Sequence, residues 1–362
     1  MSIYHMPWRL VQNRVRGKGG REIDKFRGVE PPVDDDSGSE AWIGSVTRTA
    51  DSTEDNPVGC AEVVLPDGRR MYLFEAIDVA PEEILGRSHM ERHGKELGVL
   101  VKYLDAQVQY ILQAHPTRAF AKEMWDSGFG KEEAWYVIGV RDDVPEPPYI
   151  ILGFKEGVTR ELFQEAVLRG DSVEALERMC HKIPVAAGDA AFVGGGVPHA
   201  LGRGCFVIEV QEPSDITVVP VLQEEARRRW SKIPPIDNET YNKRMIGAFV
   251  YDGCSYEEAL KRYMIPKKAI RDGDWGVESW IIGPAQTSYF SFSQADVCGR
   301  MPVRRTGYPQ IAIVIQGSGT FAYEGGSVLL RQADELFLPC DIPGAAIEGG
   351  ISVVFCHPEG AQ

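Results

Sequence analysis

Three short segments, in a fixed order along the chain, constrain its fold more than any other feature. They are Gln113-Ala-His115-Pro, Gly130-Lys-Glu-Glu133-Ala-Trp-Tyr and Gly194-Gly-Gly-Val-Pro-His199-Ala. Together they offer an amide oxygen, two imidazoles and a carboxylate, which are ligands for a borderline divalent cation such as zinc. Gln113 and His115 lie two residues apart, so on a strand both side chains point to one face. Ligands from several strands converge only if the sheet curls, so these segments predict a small β-barrel with a metal site.

The residues before His199 favour one kind of barrel. Residues 188–198 combine a Gly-Asp turn, a short apolar strand and a Gly/Pro corner that would present the imidazole. This order of Gly-Asp, Pro and His is typical of a cupin barrel. Runs typical of strands at 99–104, 108–115, 135–140, 149–154 and 205–210 agree with it. A lone histidine is usually a surface or satisfied core residue, so the interpretation depends on all three segments together.

The spacing of apolar residues changes along the chain and indicates how it is divided. Residues 159–183 space their apolar side chains at helical intervals, and Thr159 precedes them as a plausible N-cap. We therefore predict a metal-binding cupin domain over 1–220 with a helical insertion at about 159–183, then a helix and linker over 221–244. A second cupin-like β domain without metal ligands is expected over 245–362, as a lid or a homodimer surface. The predicted fold class is mainly β: two cupin (double-stranded β-helix, or jelly-roll) barrels in tandem.

Charge and cysteine content argue against several classes of protein. The chain has 39 basic and 53 acidic residues, for a net charge of −14, which argues against nucleic acid as a partner because phosphate binding needs a basic face. The seven cysteines are odd in number and form no Cys-x-x-Cys pair, which predicts reduced thiols and a cytoplasmic location. No leader-like segment and no apolar run of about 18 residues stands out, so we expect neither secretion nor membrane association.

From about residue 12 to 215 the chain resembles the type I mannose-6-phosphate isomerases, which are zinc-dependent enzymes on a cupin scaffold. The motifs that carry the resemblance are Lys102-Tyr-Leu-Asp-Ala, Gln113-Ala-His-Pro, Gly130-Lys-Glu-Glu-Ala-Trp-Tyr, Val197-Pro-His-Ala, Glu209-Val-Gln and Ser214-Asp. The resemblance implies one zinc ion per chain, held by Gln113, His115, Glu133 and His199. It also implies that Lys102, Lys131 and Glu209 line the sugar site, with either Lys131 or Glu209 as the catalytic base.

Two positions depart from the family pattern. The family usually has a Ser two residues before the ligand Gln, where it helps to hold the substrate phosphate; here that position is Ile111. The family also follows Ser-Asp with a run whose Arg reaches the reacting sugar, whereas the run after Ser214-Asp is Ile-Thr-Val-Val219. Losing one such electrostatic group typically costs about 100- to 1000-fold in rate. We predict that Arg203, or Arg118 beside the substrate, takes over this role.

These features predict a zinc-dependent aldose–ketose isomerase that acts on a hexose phosphate through an enediol, with mannose 6-phosphate and fructose 6-phosphate as the expected pair. A metal ion would polarise the sugar oxygens and a base would move the proton between adjacent carbons. The alternative is a metal-containing cupin that binds a sugar without turnover, which the missing arginine favours and the intact Lys131–Glu133 pair opposes. An iron oxygenase fits less well, because those enzymes usually use two His and one carboxylate. The residues leave open whether the sugar is phosphorylated.

Overall fold

The computed structural model describes residues 2–49, 52–221, 224 and 236–361. Most of the helix and linker predicted at 221–244 lies outside these ranges. The α-helices are α1 (Arg21–Phe26), α2 (Leu73–Val79), α3 (Pro81–Leu85), α4 (Arg87–His93), α5 (Arg118–Trp125), α6 (Arg160–Arg169), α7 (Val173–Glu177), α8 (Asn238–Ile246) and α9 (Tyr256–Tyr263). Among the helices in the described ranges, none is long and apolar enough to cross a membrane.

The strands outnumber the helices, and their pairings are antiparallel. They are β1 (Trp8–Leu10), β2 (Arg14–Arg16), β3 (Glu40–Ile43), β4 (Glu62–Val64), β5 (Arg70–Tyr72), β6 (Leu100–Asp105), β7 (Glu133–Val140), β8 (Tyr149–Phe154), β9 (Cys180–Pro184), β10 (Ala190–Val193), β11 (His199–Leu201), β12 (Cys205–Gln211), β13 (Lys268–Gly273), β14 (Gly276–Ile282), β15 (Phe290–Val297), β16 (Arg300–Pro302), β17 (Gln310–Tyr323), β18 (Gly326–Arg331), β19 (Glu335–Leu338) and β20 (Ala346–Pro358). The predicted mainly β fold is confirmed.

Two sheets form the first barrel. One has the order β10-β7-β12-β6-β3-β2 and the other the order β11-β8-β9. Apolar side chains of both sheets share one buried cluster, in which Trp135 and Val207 of the first sheet meet Ile150, Leu152 and Leu201 of the second. The barrel therefore has its own packed core, and its interior face is the one that carries the predicted site.

A short helical pair interrupts this barrel between β8 and β9. The Thr159 hydroxyl accepts a hydrogen bond from the amide of Leu162 and caps α6. Gly170 ends that helix in the left-handed region, at φ 77°, a conformation that costs glycine little. The buried side chain of Phe163 packs against Phe249, which follows α8. The insertion is thus fixed to the outside of the first barrel.

The second half of the chain begins its strands later than predicted and shares its sheet with the N-terminus. The β pattern was expected from about 245, but α8 and α9 fill the chain as far as Tyr263 and the first strand begins at Lys268. The large sheet runs β13-β14-β15-β20-β17-β19-β1-β4-β5, with β16 on β20 and β18 on β17. Trp8 of β1 pairs with Phe337 of β19, so N-terminal strands cover a sheet edge that would otherwise present unpaired backbone groups.

The two barrels meet across a common apolar core. Ala134 and Ile208 from the first barrel and Phe290 and Phe292 from the large sheet belong to one buried cluster. Tyr136 adds a polar contact, because its hydroxyl donates a 2.8 Å hydrogen bond to the amide oxygen of Gln294. The strands that carry the predicted site are therefore supported from behind by the C-terminal half.

Candidate metal centre and sugar pocket

Three of the four predicted metal ligands converge in the first barrel. His115 precedes α5, Glu133 begins β7 and His199 begins β11, and their candidate ligand atoms all lie within 4.8 Å of one another. Nε2 of His115 is 3.0 Å from one carboxylate oxygen of Glu133. Nε2 of His199 is 3.4 Å from the other. All three side chains are buried, so a cation held here would be shielded from solvent on the protein side.

Both histidines present the ring nitrogen that a metal needs. Nδ1 of His115 lies 3.0 Å from the carbonyl oxygen of Ile216, and Nδ1 of His199 lies 2.8 Å from that of Val197. A ring nitrogen facing a carbonyl carries the proton, so the lone pair of each imidazole stays on Nε2 and faces Glu133. The carbonyl contacts therefore orient both rings as ligands.

The protonation states of these groups also suit a metal site. Burial, helped by the charge of Lys131, lowers the pKa of His115 to about 3, and burial lowers the pKa of His199 as well. Burial alone would raise the pKa of Glu133, but the charge of Lys131 holds it well below its usual range. Neutral imidazoles and an ionised carboxylate are the forms that bind a metal. Within the described structure neither buried carboxylate oxygen of Glu133 accepts a hydrogen bond, although the Lys131 ammonium lies 3.3 Å from one of them. Both oxygens are therefore available as ligands for a cation.

Gln113 lies at the edge of the same site, on a segment that differs from its predicted form. Its amide nitrogen is 3.3 Å from Nε2 of His199, and the amide can present its oxygen instead by flipping. The predicted strand at 108–115 is wrong, because this segment makes only isolated bridges, Gln113 to His199 and Ala114 to Val218. The segment nevertheless lies against β11, since the His115 and His199 rings are 4.7 Å apart between centroids.

Lys131 places a positive charge among the ligand atoms. Its ammonium is 2.6 Å from Nε2 of His115 and 3.3 Å from a carboxylate oxygen of Glu133. The backbone amide of Lys131 donates to the carbonyl of Pro116, which fixes the loop just before β7. Two of the candidate ligand side chains, His115 and Glu133, thus already contact a cationic group.

A second buried network lies beside the ligand set. The Lys102 ammonium donates to Glu209 at 2.9 Å and to the side-chain oxygen of Gln211 at 2.6 Å. Trp135 donates its indole N–H to the other oxygen of Glu209 at 2.9 Å. Burial and the nearby charge of Glu133 raise the pKa of Glu209, against the lowering effect of Lys102. A buried carboxylate with a raised pKa is suited to general acid–base chemistry.

These groups border a polar cavity of about 80 Å³. The described lining contains three basic and three acidic side chains, so its formal charges balance. The lining residues are Arg16, Glu40, Lys102, Leu104, Tyr110, Gln113, Lys131, Trp135, Leu201, Glu209, Asp215 and Thr217. The structure therefore brings the predicted Lys102, Lys131 and Glu209 to one pocket, next to the candidate metal ligands.

Neither of the two predicted arginines reaches this pocket. Arg118 donates from Nε to Glu212 at 2.5 Å and from Nη2 to Glu359 at 3.0 Å. Its guanidinium also lies 3.6 Å from the ring centroid of Tyr289, so its donors face carboxylates outside the pocket lining. Arg203 lies in the turn between β11 and β12 and is not among the residues that line the pocket. Carboxylates outside the pocket explain the position of Arg118, which the sequence pattern could not reveal.

Sequence reasoning missed the arginine that does line the pocket. Arg16 ends β2, and its guanidinium bonds to Asp215 through Nη1 at 3.2 Å and Nη2 at 2.7 Å. Its Nε lies 3.4 Å from Glu40 on β3. Two of its contacts, Glu40 and Trp42, do show a sequence signal, because they lie two residues apart and so share one face of a strand. Nothing local marks Arg16, because its partner Asp215 is 199 residues away in the chain.

Known proteins resemble this chain over most of its length. No family model matches it. The mannose-6-phosphate isomerase of Streptococcus mutans is 26% identical over 285 residues, which cover 76% of this chain and 80% of that protein. The probable mannose-6-phosphate isomerase GmuF of Bacillus subtilis is 28% identical over 268 residues, covering 73% and 76% of the two chains.

Solved structures agree with the sequence comparison. The mannose 6-phosphate isomerase from Bacillus subtilis superposes with a TM-score of 0.74 at 22% identity, over 97% of this chain and 99% of that one. A zinc-bound mannose 6-phosphate isomerase gives a TM-score of 0.73 at 14% identity, over 98% and 99% of the two chains. The predicted cupin fold and the resemblance to the type I mannose-6-phosphate isomerases are confirmed.

Proposed function

We propose that this chain is a metal-dependent aldose–ketose isomerase that interconverts mannose 6-phosphate and fructose 6-phosphate. The observation that carries the proposal is the buried His115–Glu133–His199 set, whose carboxylate lacks a described hydrogen-bond partner and lies beside Lys131. A carbohydrate-binding protein without turnover needs polar groups but no such ligand set next to a buried carboxylate of raised pKa. The relatives named above, which carry the name of this activity, support the same conclusion.

Zinc is the metal we propose for this site. His115, His199 and Glu133 offer two imidazole nitrogens and a carboxylate, and the amide of Gln113 adds an oxygen, a donor set that zinc accepts. Two protein carbonyls fix the ring tautomers that such coordination requires. A zinc ion held there acts as a Lewis acid that polarises the sugar oxygens. Support for zinc also comes from the structural neighbour that binds it.

Glu209 is the proposed base for the proton transfer. In the forward direction it removes the proton from C2 of the aldose, the electrons of that C–H bond form the C1–C2 double bond, and O1 takes up a proton to give the enediol. The O2 hydroxyl then loses its proton as the C2 carbonyl forms, and Glu209 delivers a proton to C1 of the ketose. Its raised pKa brings it closer to the neutral range in which a base both accepts and releases a proton. Lys102 and Trp135 hold one carboxylate oxygen each, which fixes the group in one orientation. We assign Lys131 to donate a hydrogen bond to the oxygen on which negative charge develops.

The test combines metal analysis with proton exchange in three proteins. Zinc per chain is measured in the wild type, in Glu133→Gln and in Glu132→Gln, where the neighbouring carboxylate serves as a matched control. Deuterium exchange at C1 and C2 is followed by NMR with mannose 6-phosphate, fructose 6-phosphate and the free hexoses. We expect one zinc and sugar exchange in the wild type and in the Glu132 variant, and neither in the Glu133 variant. Stoichiometric zinc without exchange on any sugar would instead identify a binding protein, and a wild type without metal would refute the site.

We further propose that the protein is cytoplasmic and forms a homodimer. Within each chain, we propose that residues 1–220 carry the chemistry, that residues 245–362 form a structural half, and that residues 221–244 join the two. The free state of all seven cysteines, each within the described ranges, supports a reducing compartment. The site residues named above all belong to the first of these segments, which supports the division of labour. Light scattering on the purified protein tests the assembly, and the mass of a single chain would rule out the dimer.

A further inference from the structure

The three basic side chains of the pocket differ in their access to solvent. The side chains of Lys102 and Lys131 are 4% and 5% exposed, whereas that of Arg16 is 44% exposed. Lys102 is already bound by Glu209 and Gln211. Lys131 lies among the metal-ligating atoms. Within the described lining, Arg16 is therefore the basic residue at the open end of the pocket.

Strand order separates Arg16 from Glu133, one of the candidate metal ligands, along the sheet. Glu133 begins β7 and Arg16 ends β2, and the sheet runs β7-β12-β6-β3-β2 between them. Neighbouring strands lie about 4.8 Å apart, so four steps separate the two backbones by up to about 19 Å along the sheet, less where it curls. In a hexose 6-phosphate the reacting carbons C1 and C2 and the phosphate on C6 lie at opposite ends of the molecule.

The guanidinium of Arg16 is held in place but keeps free donors. Asp215 accepts from both terminal nitrogens and Glu40 accepts from Nε, and the ring of Trp42 lies under the guanidinium at 5.6 Å. An arginine has five N–H groups, and these contacts use three, one on each nitrogen. One N–H on each terminal nitrogen remains. These two N–H groups lie on opposite flanks of the guanidinium, so one of them can donate a single charge-assisted hydrogen bond to a phosphate oxygen.

The position at which the family resemblance implies a phosphate-binding serine is apolar here. Ile111 packs against a small cluster that contains Val219, Val221 and Tyr241. Val219 is also the position at which the resemblance implies an arginine. These aliphatic side chains offer no donor to a phosphate, and burying a dianion against them would carry a large desolvation cost. Recognition of the phosphate must then depend on another part of the pocket.

We propose that Arg16 binds the phosphate group of the substrate at the open end of the pocket, in place of the hydroxyl that Ile111 lacks. This inference depends on the proposed function, because it concerns the same sugar phosphate. Asp215 and Glu40 are positioning residues that aim the guanidinium. Arg16 therefore sets the preference for phosphorylated over free sugars, while the reacting end of the sugar is held by groups deeper in the pocket.

The test compares Arg16→Gln with Arg9→Gln. Arg9 is a matched control, because its side chain is 45% exposed and pairs with Asp334, outside the pocket lining. Kinetics with mannose 6-phosphate and with free mannose are measured for both variants and the wild type. A hydrogen bond to a charged group contributes about 1.5–3 kcal/mol, so we expect KM for mannose 6-phosphate to rise roughly 10- to 150-fold in the Arg16 variant. We expect kcat to change little, free mannose to be unaffected, and Arg16→Lys to restore part of the loss.

Binding measurements keep this proposal separate from the proposed isomerase activity. Calorimetry with mannose 6-phosphate reports phosphate recognition in wild type and variants even if no sugar is turned over. Weaker binding in the Arg16 variant alone supports the phosphate contact, with or without turnover. An equal loss with phosphorylated and free sugar, or no change with either, would overturn it. A wild type that binds no sugar phosphate would overturn both proposals together.

Discussion

The buried pair of Lys102 and Glu209 allows a quantitative prediction. Both side chains are almost completely enclosed, at 4% and 5% exposure, and their charged atoms are 2.9 Å apart. Lys102→Met keeps the length of the side chain but removes its charge, and so leaves a buried carboxylate with Trp135 as its remaining donor. We expect this variant to fold with reduced stability and to lose isomerase activity.

The size of the loss follows from the distance between the charges. At 2.9 Å and an effective dielectric constant of about 20, the attraction is about 6 kcal/mol. Removing one partner of a buried ion pair typically costs about 3–5 kcal/mol. The double variant Lys102→Met/Glu209→Gln leaves no buried charge from this pair, so we expect it to recover most of that loss while staying inactive.

The loss should also depend on pH. Burial and Glu133 raise the pKa of Glu209, and without Lys102 the charge of Lys131 is left to oppose them. The folded variant then retains a proton at Glu209 that the unfolded chain releases at a lower pH. A raised folded-state pKa means that stability is present at low pH and is lost as pH rises. The free energy of unfolding of the single variant is therefore expected to fall further below that of the wild type at pH 8 than at pH 5.

The assay is urea denaturation at a fixed zinc concentration, followed by tryptophan fluorescence at pH 5 and pH 8. The wild type, the single variant and the double variant are compared at each pH. A single variant within about 1 kcal/mol of wild type at pH 8 would refute the reasoning, since other groups would then compensate the buried carboxylate for the loss of its Coulomb partner. A deficit that is equal at both pH values would refute the assignment of the buried charge to Glu209.

Two further predictions concern groups outside the pocket. Arg118→Ala removes the partner of Glu212, which also accepts a 3.1 Å hydrogen bond from the backbone amide of Glu132, next to the ligand Glu133. Zinc affinity, measured by chelator competition, should therefore fall about 10- to 100-fold. Arg203→Ala should leave the zinc affinity unchanged, and equal affinities in the two variants would contradict the prediction. Burial, with the charge of Arg304, lowers the pKa of His357 to about 3. The unfolded chain therefore takes up a proton near pH 6.5 that the fold excludes, and stability falls by up to about 1.4 kcal/mol per pH unit as pH drops below that value. His357→Gln should flatten this dependence in thermal unfolding, and parallel curves for variant and wild type would exclude it.

The sequence was sufficient for the parts of the site that local motifs encode. His115, Glu133 and His199 could be brought together because each has a chemically specific side chain beside a Pro, a strand or a Gly/Pro corner. Arg16 could not be found in this way, because its place in the pocket depends on pairing between β2 and β3 and on a partner 199 residues away. The segment around Gln113 has the sequence pattern of a strand, but only two of its residues form backbone bridges, and such pairing is not visible in the sequence.

The joining of β1, β4 and β5 to the large sheet limits how this chain can be divided. A fragment that ends near residue 220 would retain these strands but lose β19, to which Trp8 is paired. It would also expose the apolar face that Ala134 and Ile208 present to Phe290 and Phe292. Such a fragment carries every proposed ligand, yet we expect it to aggregate instead of binding metal. The catalytic barrel is therefore not a transferable module, and exchange between relatives would have to move both ends of the chain together.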